Sequence, residues 1–126
     1  MPKVASSAGH AKVLVVEDDR LLRLMAVETL LDDGFTAIGV ERAAEALDQL
    51  EASSDIALLV TDINMPGMSG LDLARLVRRR YPQVRLLLIS GREQLDPEFS
   101  PQPFEFLQKP FSARSFLARI QCLLDR

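Results

Sequence analysis

Short runs of apolar residues that are almost uninterrupted limit the possible folds of this chain more than any other feature. Three such runs are Val13–Val16, Ile56–Val60 and Leu86–Ile89. Since polar residues do not alternate with the apolar ones, each run is typical of a strand buried on both faces, as in a parallel sheet covered by helices. The weaker run Phe35–Val40 indicates another strand, and the more alternating run Phe104–Leu107 indicates an edge strand.

Helical patterns separate these runs and supply the covering layers. Gly34 is the expected stop of the first helix, Ser69 or Gly70 opens the third, Tyr81–Pro82 closes it, and Ser112 is a good N-cap for the last. The apolar faces predicted to pack on the sheet are, in chain order, Leu21, Leu24, Val27 and Leu31, then Ala43, Ala46, Leu47 and Leu50, then Leu73, Leu76 and Val77, and finally Phe116, Ile120, Leu123 and Leu124.

The alternation of strands and helices predicts one α/β domain with a parallel sheet and right-handed crossovers. We expect residues 12–126 to form this domain and residues 1–11, which are mostly small or polar, to form a flexible tail. The connection Gly91–Pro103 departs from the alternation because it holds three prolines between positions 97 and 103. Proline removes a helix donor and clashes with the preceding turn, so the fourth helix is predicted to be short, irregular or missing.

Composition and charge narrow the classes of function. The chain is 48% hydrophobic and 26% charged, the balance of a soluble globular protein, and its net charge of −3 does not favour nucleic-acid binding. The run Arg78–Arg80 is interpreted as a solvated helix end. Because the first twelve residues lack the apolar core of a signal peptide and no run approaches the ~20 apolar residues of a membrane span, we expect neither element. Cys122, the only cysteine, is expected in the core of the last helix and fits a reducing cytoplasm, and His10 is expected to be solvated in the tail.

Polar or charged residues follow four of the predicted strands. Glu17 and Asp18 come after the first strand, Asp62 after the third, Ser90 after the fourth and Lys109 after the fifth. Because the carboxyl ends of parallel strands meet at one edge of the sheet, we expect these side chains to lie close together. The sequence therefore predicts a functional site at this edge.

The three carboxylates among these residues would repel one another unless a cation lay between them. Their hard oxygen atoms suit Mg²⁺, which prefers octahedral oxygen ligands and keeps several waters. We expect Asp18 and Asp62 to bind Mg²⁺ directly, Glu17 to act through water or from behind the ligands, and the backbone carbonyl of Asn64 to complete the protein ligands. The open alternative is that Asp19, and less readily Asp18, only caps the first helix.

A cation held by carboxylates beside a lysine and a hydroxyl is suited to phosphoryl chemistry, which needs in-line positioning and neutralisation of charged oxygens. Asp62 would be the nucleophile and would form an acyl phosphate. Lys109 and Ser90 would contact other phosphoryl oxygens. The alternative for Lys109 is a surface lysine that extends from a strand end into solvent.

Four segments of the chain resemble those of a known family. They are VLVVEDD, LLVTDINMPGMSG, LLLISG and FLQKPF, and in this order and spacing they resemble the signature segments of bacterial response-regulator receiver domains over residues 12–126. The resemblance implies a doubly wound, flavodoxin-like fold with a five-stranded parallel sheet in the strand order 2-1-3-4-5.

The resemblance also implies residue roles. Asp62 matches the phosphoacceptor, Ser90 the switch hydroxyl and Lys109 the phosphate-binding lysine, which precedes a cis peptide bond at Pro110. The Mg²⁺ ligands implied are Glu17, Asp18, Asp62 and the backbone oxygen of Asn64. Phe106 matches the aromatic residue that turns inward on phosphorylation. Phenylalanine lacks the hydroxyl of the tyrosine often found at this position, so any coupling of Phe106 to phosphorylation would rest on packing alone. The alternative is that Phe106 is an apolar strand residue without a switch role.

The leading interpretation is a phosphorylation-activated signalling switch of a two-component system or phosphorelay, not an enzyme. The implied partners are a sensor histidine kinase or a histidine-phosphotransfer protein, docking near Arg20, Leu21 and Leu24. No nucleic acid, membrane or small-molecule substrate beyond phosphodonors is expected. Because the chain ends after the last helix pattern, we expect a stand-alone domain. The alternatives are a phosphorylation-independent interaction domain and an aspartyl-phosphate phosphatase, whose motif would place an aspartate where Asn64 stands.

Overall fold

The computed structural model describes residues 11–91 and 104–125. Within these ranges the strands are β1 (Lys12–Val16), β2 (Thr36–Val40), β3 (Ile56–Asp62), β4 (Arg85–Ser90) and β5 (Glu105–Gln108), and the helices are α1 (Arg20–Asp32), α2 (Ala43–Ala52), α3 (Gly70–Arg80) and α4 (Ala113–Leu124). No helix in this part of the chain is long and apolar enough to cross a membrane. The described residues do not include residues 1–10, and so not His10, nor the segment 92–103. The prediction of a short, irregular or missing fourth helix concerns this segment and therefore also lies outside the described residues.

The described strands form one parallel sheet in the order β2-β1-β3-β4-β5. The five-stranded sheet and its predicted order are thereby confirmed. β3 is central and pairs with β1 on one side and with β4 on the other. The run predicted to alternate as an edge strand is β5, which pairs only with β4 among the described strands.

Side chains on the two faces of the sheet pack into separate cores, which makes the fold doubly wound. On one face β1, β3 and β4 pack against α1 and α4, and the helix residues of this core are Leu30, Phe116, Ile120 and Leu123. On the other face the sheet packs against α2 and α3, through Ala43, Ala46, Leu50, Leu73 and Val77. The uninterrupted apolar runs therefore mark strands covered on both sides, as predicted.

Local signals set the ends of the helices. Ser69 and Ser112 accept backbone N–H bonds from Asp72 and Ser115, and so cap α3 and α4. α1 ends at Asp32, and Gly34 follows with a φ of 95°, a backbone conformation that favours glycine. The predicted boundaries at Ser69, Ser112 and Gly34 are thus confirmed.

Two predictions about helix faces are wrong. Leu21, Leu24 and Leu31 were expected against the sheet, but they are 65%, 47% and 50% exposed, and Leu30 is the buried residue of α1. This helix carries leucine or methionine on most sides, so the spacing alone could not select its inner face. Cys122 is exposed and does not belong to the core, because the buried positions Ile120 and Leu123 lie on the opposite side of α4.

Candidate functional site

The polar residues at the strand ends come together at one edge of the sheet. Two backbone hydrogen bonds continue the sheet beyond its regular strands and fix their relative positions. Ile63 N donates to Ile89 O at 3.0 Å, and Lys109 N donates to Ser90 O at 2.8 Å. Asp62, Ser90 and Lys109 therefore follow one another across β3, β4 and the end of β5. The sequence prediction of a shared edge is confirmed.

Glu17, Asp18 and Asp62 form an acidic cluster at this edge. One carboxylate oxygen from each residue lies within 4.8 Å of the corresponding oxygens of the other two. Glu17 and Asp62 are 8% and 7% exposed, whereas Asp18 is exposed to solvent. Three carboxylates at this spacing are a donor set suited to a hard divalent cation, because their mutual repulsion falls when positive charge lies among them.

Burial raises the pKa of both inner carboxyl groups. For Asp62 the loss of solvation raises the pKa, the Lys109 ammonium opposes the increase, and the charge of Asp18 adds to it. For Glu17 burial again raises the pKa, a hydrogen bond from the Asp19 backbone lowers it, and the charge of Asp62 raises it. Both shifts have the same origin, which is negative charge held where water cannot fully solvate it.

Lys109 supplies a positive charge beside this cluster. Its Nζ lies 3.4 Å from Oδ2 of Asp62 and 3.6 Å from Oε1 of Glu17. The peptide bond between Lys109 and Pro110 is cis, the conformation that the resemblance implies. The ammonium contacts two carboxylates from inside the site, which contradicts the alternative of a lysine extending into solvent.

The hydroxyl of Ser90 is buried without a hydrogen-bond partner among the described residues. The residue as a whole is fully buried. A buried hydroxyl without a partner costs free energy, so such groups are rare unless a ligand completes them. Its position at the end of β4, beside the strand that ends in Asp62, fits a group bound at the acidic edge.

The connection from β1 to α1 is held by several hydrogen bonds. Glu17 N donates to Val40 O at 3.0 Å, and Asp19 N donates to Oε2 of Glu17 at 3.0 Å. Asp19 caps α1, because its Oδ1 accepts the backbone N–H of Leu22 at 3.1 Å. The capping alternative therefore applies to Asp19, and Asp18 is left with its carboxylate in the acidic cluster.

The connection from β3 to α3 passes very close to Asp62. Gly70 N donates to Ile63 O at 2.8 Å. A Cβ added at Gly70 would lie 2.0 Å from the backbone oxygen of Asp62 and 2.9 Å from the Cα of Ile63. Only a residue without a side chain fits here, so the first turn of α3 packs directly on the backbone of the central aspartate.

Two predicted residues lie near the site without joining the cluster. Asn64 is exposed, two residues after Asp62. Phe106 is half-buried on β5 and packs, with Phe104, against Ile63 and Leu88. Arg119 of α4 donates a hydrogen bond to the backbone oxygen of Phe106, so the strand that carries this aromatic residue is tied to the last helix.

Sequence reasoning missed two contacts at this edge. Gly70 was considered only as a helix start, although its close approach to Asp62 is its more specific property. Arg23 of α1 was not considered, and its Nη1 donates to the backbone oxygen of Glu17 at 2.8 Å. Gly39, a glycine inside a predicted strand, is the sequence signal for the Arg23 contact, because such glycines often mark the close approach of another group.

Comparisons with known proteins agree on one family. A family model described as the response regulator receiver domain matches residues 13–121. The response regulator protein FleR of Pseudomonas aeruginosa is 41% identical over 110 residues, which are 85% of this chain and 23% of FleR. The transcriptional regulatory protein CpxR of Escherichia coli is 33% identical over 117 residues, 91% of this chain and 50% of CpxR. The chain thus spans half or less of the length of these curated relatives.

Solved structures agree with the family match. A response regulator receiver domain protein from Clostridium thermocellum has a TM-score of 0.84 at 26% identity and covers 92% of this chain and 95% of its own. The response regulator TrrA of Thermotoga maritima, crystallised in complex with Mg²⁺ and BeF, has a TM-score of 0.81 at 26% identity and covers 90% and 99%. Together with the five-stranded sheet and the acidic edge, these matches show that the chain belongs to the response regulator receiver domain family.

Proposed function

We propose that this domain, residues 12–126 preceded by a tail of residues 1–11, is a signalling switch that accepts a phosphoryl group on Asp62. The observation that carries the proposal is the arrangement at the edge of the sheet. Lys109 lies 3.4 Å from Asp62, two further carboxylates lie beside it, and the buried Ser90 hydroxyl has no partner there among the described residues. Lys109 and Ser90 would contact a phosphoryl group on Asp62, and the two further carboxylates would hold the cation beside it.

Mg²⁺ fits the donor set of the acidic cluster. Asp18 and Asp62 would bind it directly, Glu17 would act through water, and the backbone oxygen of Asn64 would complete the protein ligands. Bound there, the cation would neutralise charge on the transferring phosphoryl group. The Mg²⁺ and BeF complex of TrrA, which shares the fold, supports this assignment.

The chain's own residues carry the transfer. A carboxylate oxygen of Asp62 forms a bond to the phosphorus of a phosphohistidine, the P–N bond breaks, and the imidazole leaves with the electron pair and takes up a proton. Lys109, which pairs with Asp62 and Glu17 before transfer, is placed to contact a phosphoryl oxygen afterwards. Ser90 would donate its hydroxyl to another oxygen, and Phe106 would then repack on β5. The protein is therefore a phosphoacceptor that assists its own phosphorylation and dephosphorylation, not an enzyme with a separate substrate.

The partner would be a sensor histidine kinase or a histidine-phosphotransfer protein in the cytoplasm. Its docking surface would include Arg20, Leu21 and Leu24, which are exposed on α1. A cavity of about 290 Å³ lies beside this helix, and both Asp62 and Phe111 line it. Exposed apolar side chains next to a nucleophile offer a partner both affinity and access. We propose no nucleic-acid or membrane partner for this domain.

Intact mass spectrometry after incubation with acetyl phosphate tests the proposal. We expect one phosphoryl adduct that requires Mg²⁺ and is absent in Asp62→Asn. Asp48→Asn, which changes an exposed aspartate on α2, is the matched control and keeps the adduct. An adduct that survives Asp62→Asn contradicts the proposed acceptor. A folded native protein that never acquires an adduct supports the phosphorylation-independent alternative. Steady hydrolysis of a phosphate ester, a substrate that the proposed switch does not need, supports the phosphatase.

A further inference from the structure

Arg23 and Gly39 form a contact that lies outside the acidic cluster. The guanidinium of Arg23 donates a hydrogen bond from Nη1 to the backbone oxygen of Glu17 at 2.8 Å. The aliphatic part of the same side chain lies over Gly39, where an added Cβ would come within 2.9 Å of Cγ and 3.3 Å of Cδ. The side chain thus runs from α1 across β2 to the connection that carries the acidic pair.

The absence of a side chain at Gly39 leaves space for side chains of α1. It pairs with Val15 in the β1–β2 register, where a residue with a side chain would normally strengthen the strand. Its φ is outside the left-handed region, since the glycines with positive φ in the described residues are Gly34 and Gly67. The added Cβ would also come within 3.0 Å of Cγ2 of Val27. The position therefore favours glycine because α1, and Arg23 above all, approaches the strand closely.

The hydrogen bond from Arg23 completes the anchoring of Glu17. The backbone N–H of Glu17 is held by Val40, and its carboxylate accepts the N–H of Asp19. The backbone carbonyl is the remaining polar group of Glu17, and it accepts the hydrogen bond from Arg23. A charged donor to a half-buried carbonyl is among the stronger hydrogen bonds in proteins. Without it the carbonyl of the peptide unit between Glu17 and Asp18 would lose this donor.

We infer that Arg23, seated over Gly39, is a positioning residue that holds Glu17 and Asp18 in the geometry that binds Mg²⁺. The inference rests on the proposed function, because that function assigns Mg²⁺ to the acidic pair. Arg23 contacts the backbone oxygen of Glu17, and among the described residues no hydrogen bond or ion pair joins it to a carboxylate oxygen of the pair. Its effect on the cation is therefore indirect, through the direction in which the two side chains leave the connection.

The sign of the effect separates positioning from simple electrostatics. Arg23 carries a positive charge near a cation site, so removing that charge without any loss of geometry would strengthen Mg²⁺ binding. Loss of positioning would instead weaken Mg²⁺ binding. Substitution of a residue that supports metal ligands typically lowers metal affinity by about tenfold or more. Arg23→Met keeps most of the aliphatic stem and removes the donor, so it sets the two effects against each other.

The test measures Mg²⁺ affinity by isothermal titration calorimetry on the full chain. We expect Arg23→Met to bind Mg²⁺ about tenfold more weakly. Arg23→Lys keeps a charged donor and is expected to lose less than about threefold. Gly39→Ala keeps the arginine and displaces its stem, so its affinity is expected to fall as well. Arg79→Met removes an exposed arginine at the end of α3 and is the control, with an affinity within about twofold of native because solvent screens its charge.

Amide hydrogen exchange of Glu17 and Asp19 in Mg²⁺-free protein provides a second readout. We expect faster exchange at these amides in Arg23→Met and in Gly39→Ala, with native exchange retained in the centre of β3. A folded Arg23→Met variant with native or tighter Mg²⁺ affinity and native exchange would overturn the inference alone. Native protein that binds no Mg²⁺ would instead overturn the proposed function, and this inference with it.

Discussion

Gly70→Ala is the substitution for which the structure gives the clearest quantitative expectation. The added methyl group would lie 2.0 Å from the backbone oxygen and 2.7 Å from the carbonyl carbon of Asp62. Both contacts are with backbone, which cannot move aside by a rotamer change. The first turn of α3 must therefore shift by more than about 1 Å, and the hydrogen bond from Gly70 N to Ile63 O is lost.

The expected cost follows from three contributions. Overpacking of this severity costs about 3 kcal/mol, the upper part of the usual range. The lost backbone hydrogen bond adds about 1 kcal/mol. Alanine is the better helix former by up to ~1 kcal/mol, which offsets part of the loss. We expect the free energy of unfolding to fall by about 3 kcal/mol, which corresponds to a decrease in Tm of about 11 °C for a domain of this size.

Urea unfolding followed by circular dichroism measures this quantity, and Gly67→Ala is the matched control. Gly67 lies in the same connection with a φ of 79°, but among the described residues no atom beyond its chain neighbours lies within 4 Å of its added Cβ. Its substitution therefore costs only the backbone strain, about 1 kcal/mol. A loss for Gly70→Ala no larger than that for Gly67→Ala would refute the argument. Because Asp62 is displaced, phosphorylation by acetyl phosphate should slow by about 100-fold in Gly70→Ala.

Three further predictions concern the core, the site and the surface. Leu30→Ala should lower the free energy of unfolding by about 3 kcal/mol, because this side chain is fully buried. The neighbouring Leu31→Ala should lower it by less than ~0.5 kcal/mol, because Leu31 is 50% exposed. Equal losses in urea unfolding would contradict the assigned inner face of α1. Ser90→Ala should raise the free energy of unfolding by about 1 kcal/mol, since it removes a buried hydroxyl without a partner; a lower Tm would indicate that the hydroxyl is hydrogen-bonded. Cys122 should react fully with a thiol reagent in native protein, whereas protection until unfolding would place it in the core.

The strands and the site could be predicted because their signals are local. An apolar run such as Val13–Val16 has too few polar positions to face water on either side, so its burial follows from composition alone. The residues that end parallel strands meet at one edge whatever the details of packing. For this reason the sequence alone predicts that Asp62, Ser90 and Lys109 lie together, as they do in the structure.

The inner face of α1 could not be predicted for a physical reason. Leucine or methionine occupies positions 21, 22, 24, 25, 30 and 31, so several helical stripes have similar apolar content. Burying one rather than another depends on the angle at which the helix crosses the sheet, which no local pattern encodes. The same limit applies to Cys122, which is exposed although Ile120 and Leu123 on the same helix are buried.

The contacts of Arg23 and Gly70 could not be predicted from sequence patterns because each crosses the connection between a strand and a helix, whose path no periodic pattern encodes. Arg23 reaches the carbonyl of Glu17 and the space above Gly39, and Gly70 touches the carbonyl of Asp62. Such contacts depend on distances of a few tenths of an ångström. A glycine inside a strand, such as Gly39, or at the first position of a helix, such as Gly70, is the indication that the sequence alone provides.

The order of strands in the sheet has a consequence for biosynthesis. Asp62 lies on the central strand, yet the groups around it come from the beginning and from the end of the chain, at Glu17 and Lys109. A nascent chain emerges from its N-terminus and can pair β1, β2 and β3 early, but Lys109 joins the carboxylates only after β5 has docked on β4. A truncated or partly folded chain therefore exposes the acidic pair without its counter-charge and lacks a finished site. Under the proposed function, phosphorylation of Asp62 would therefore require a chain in which β5 is present and docked on β4.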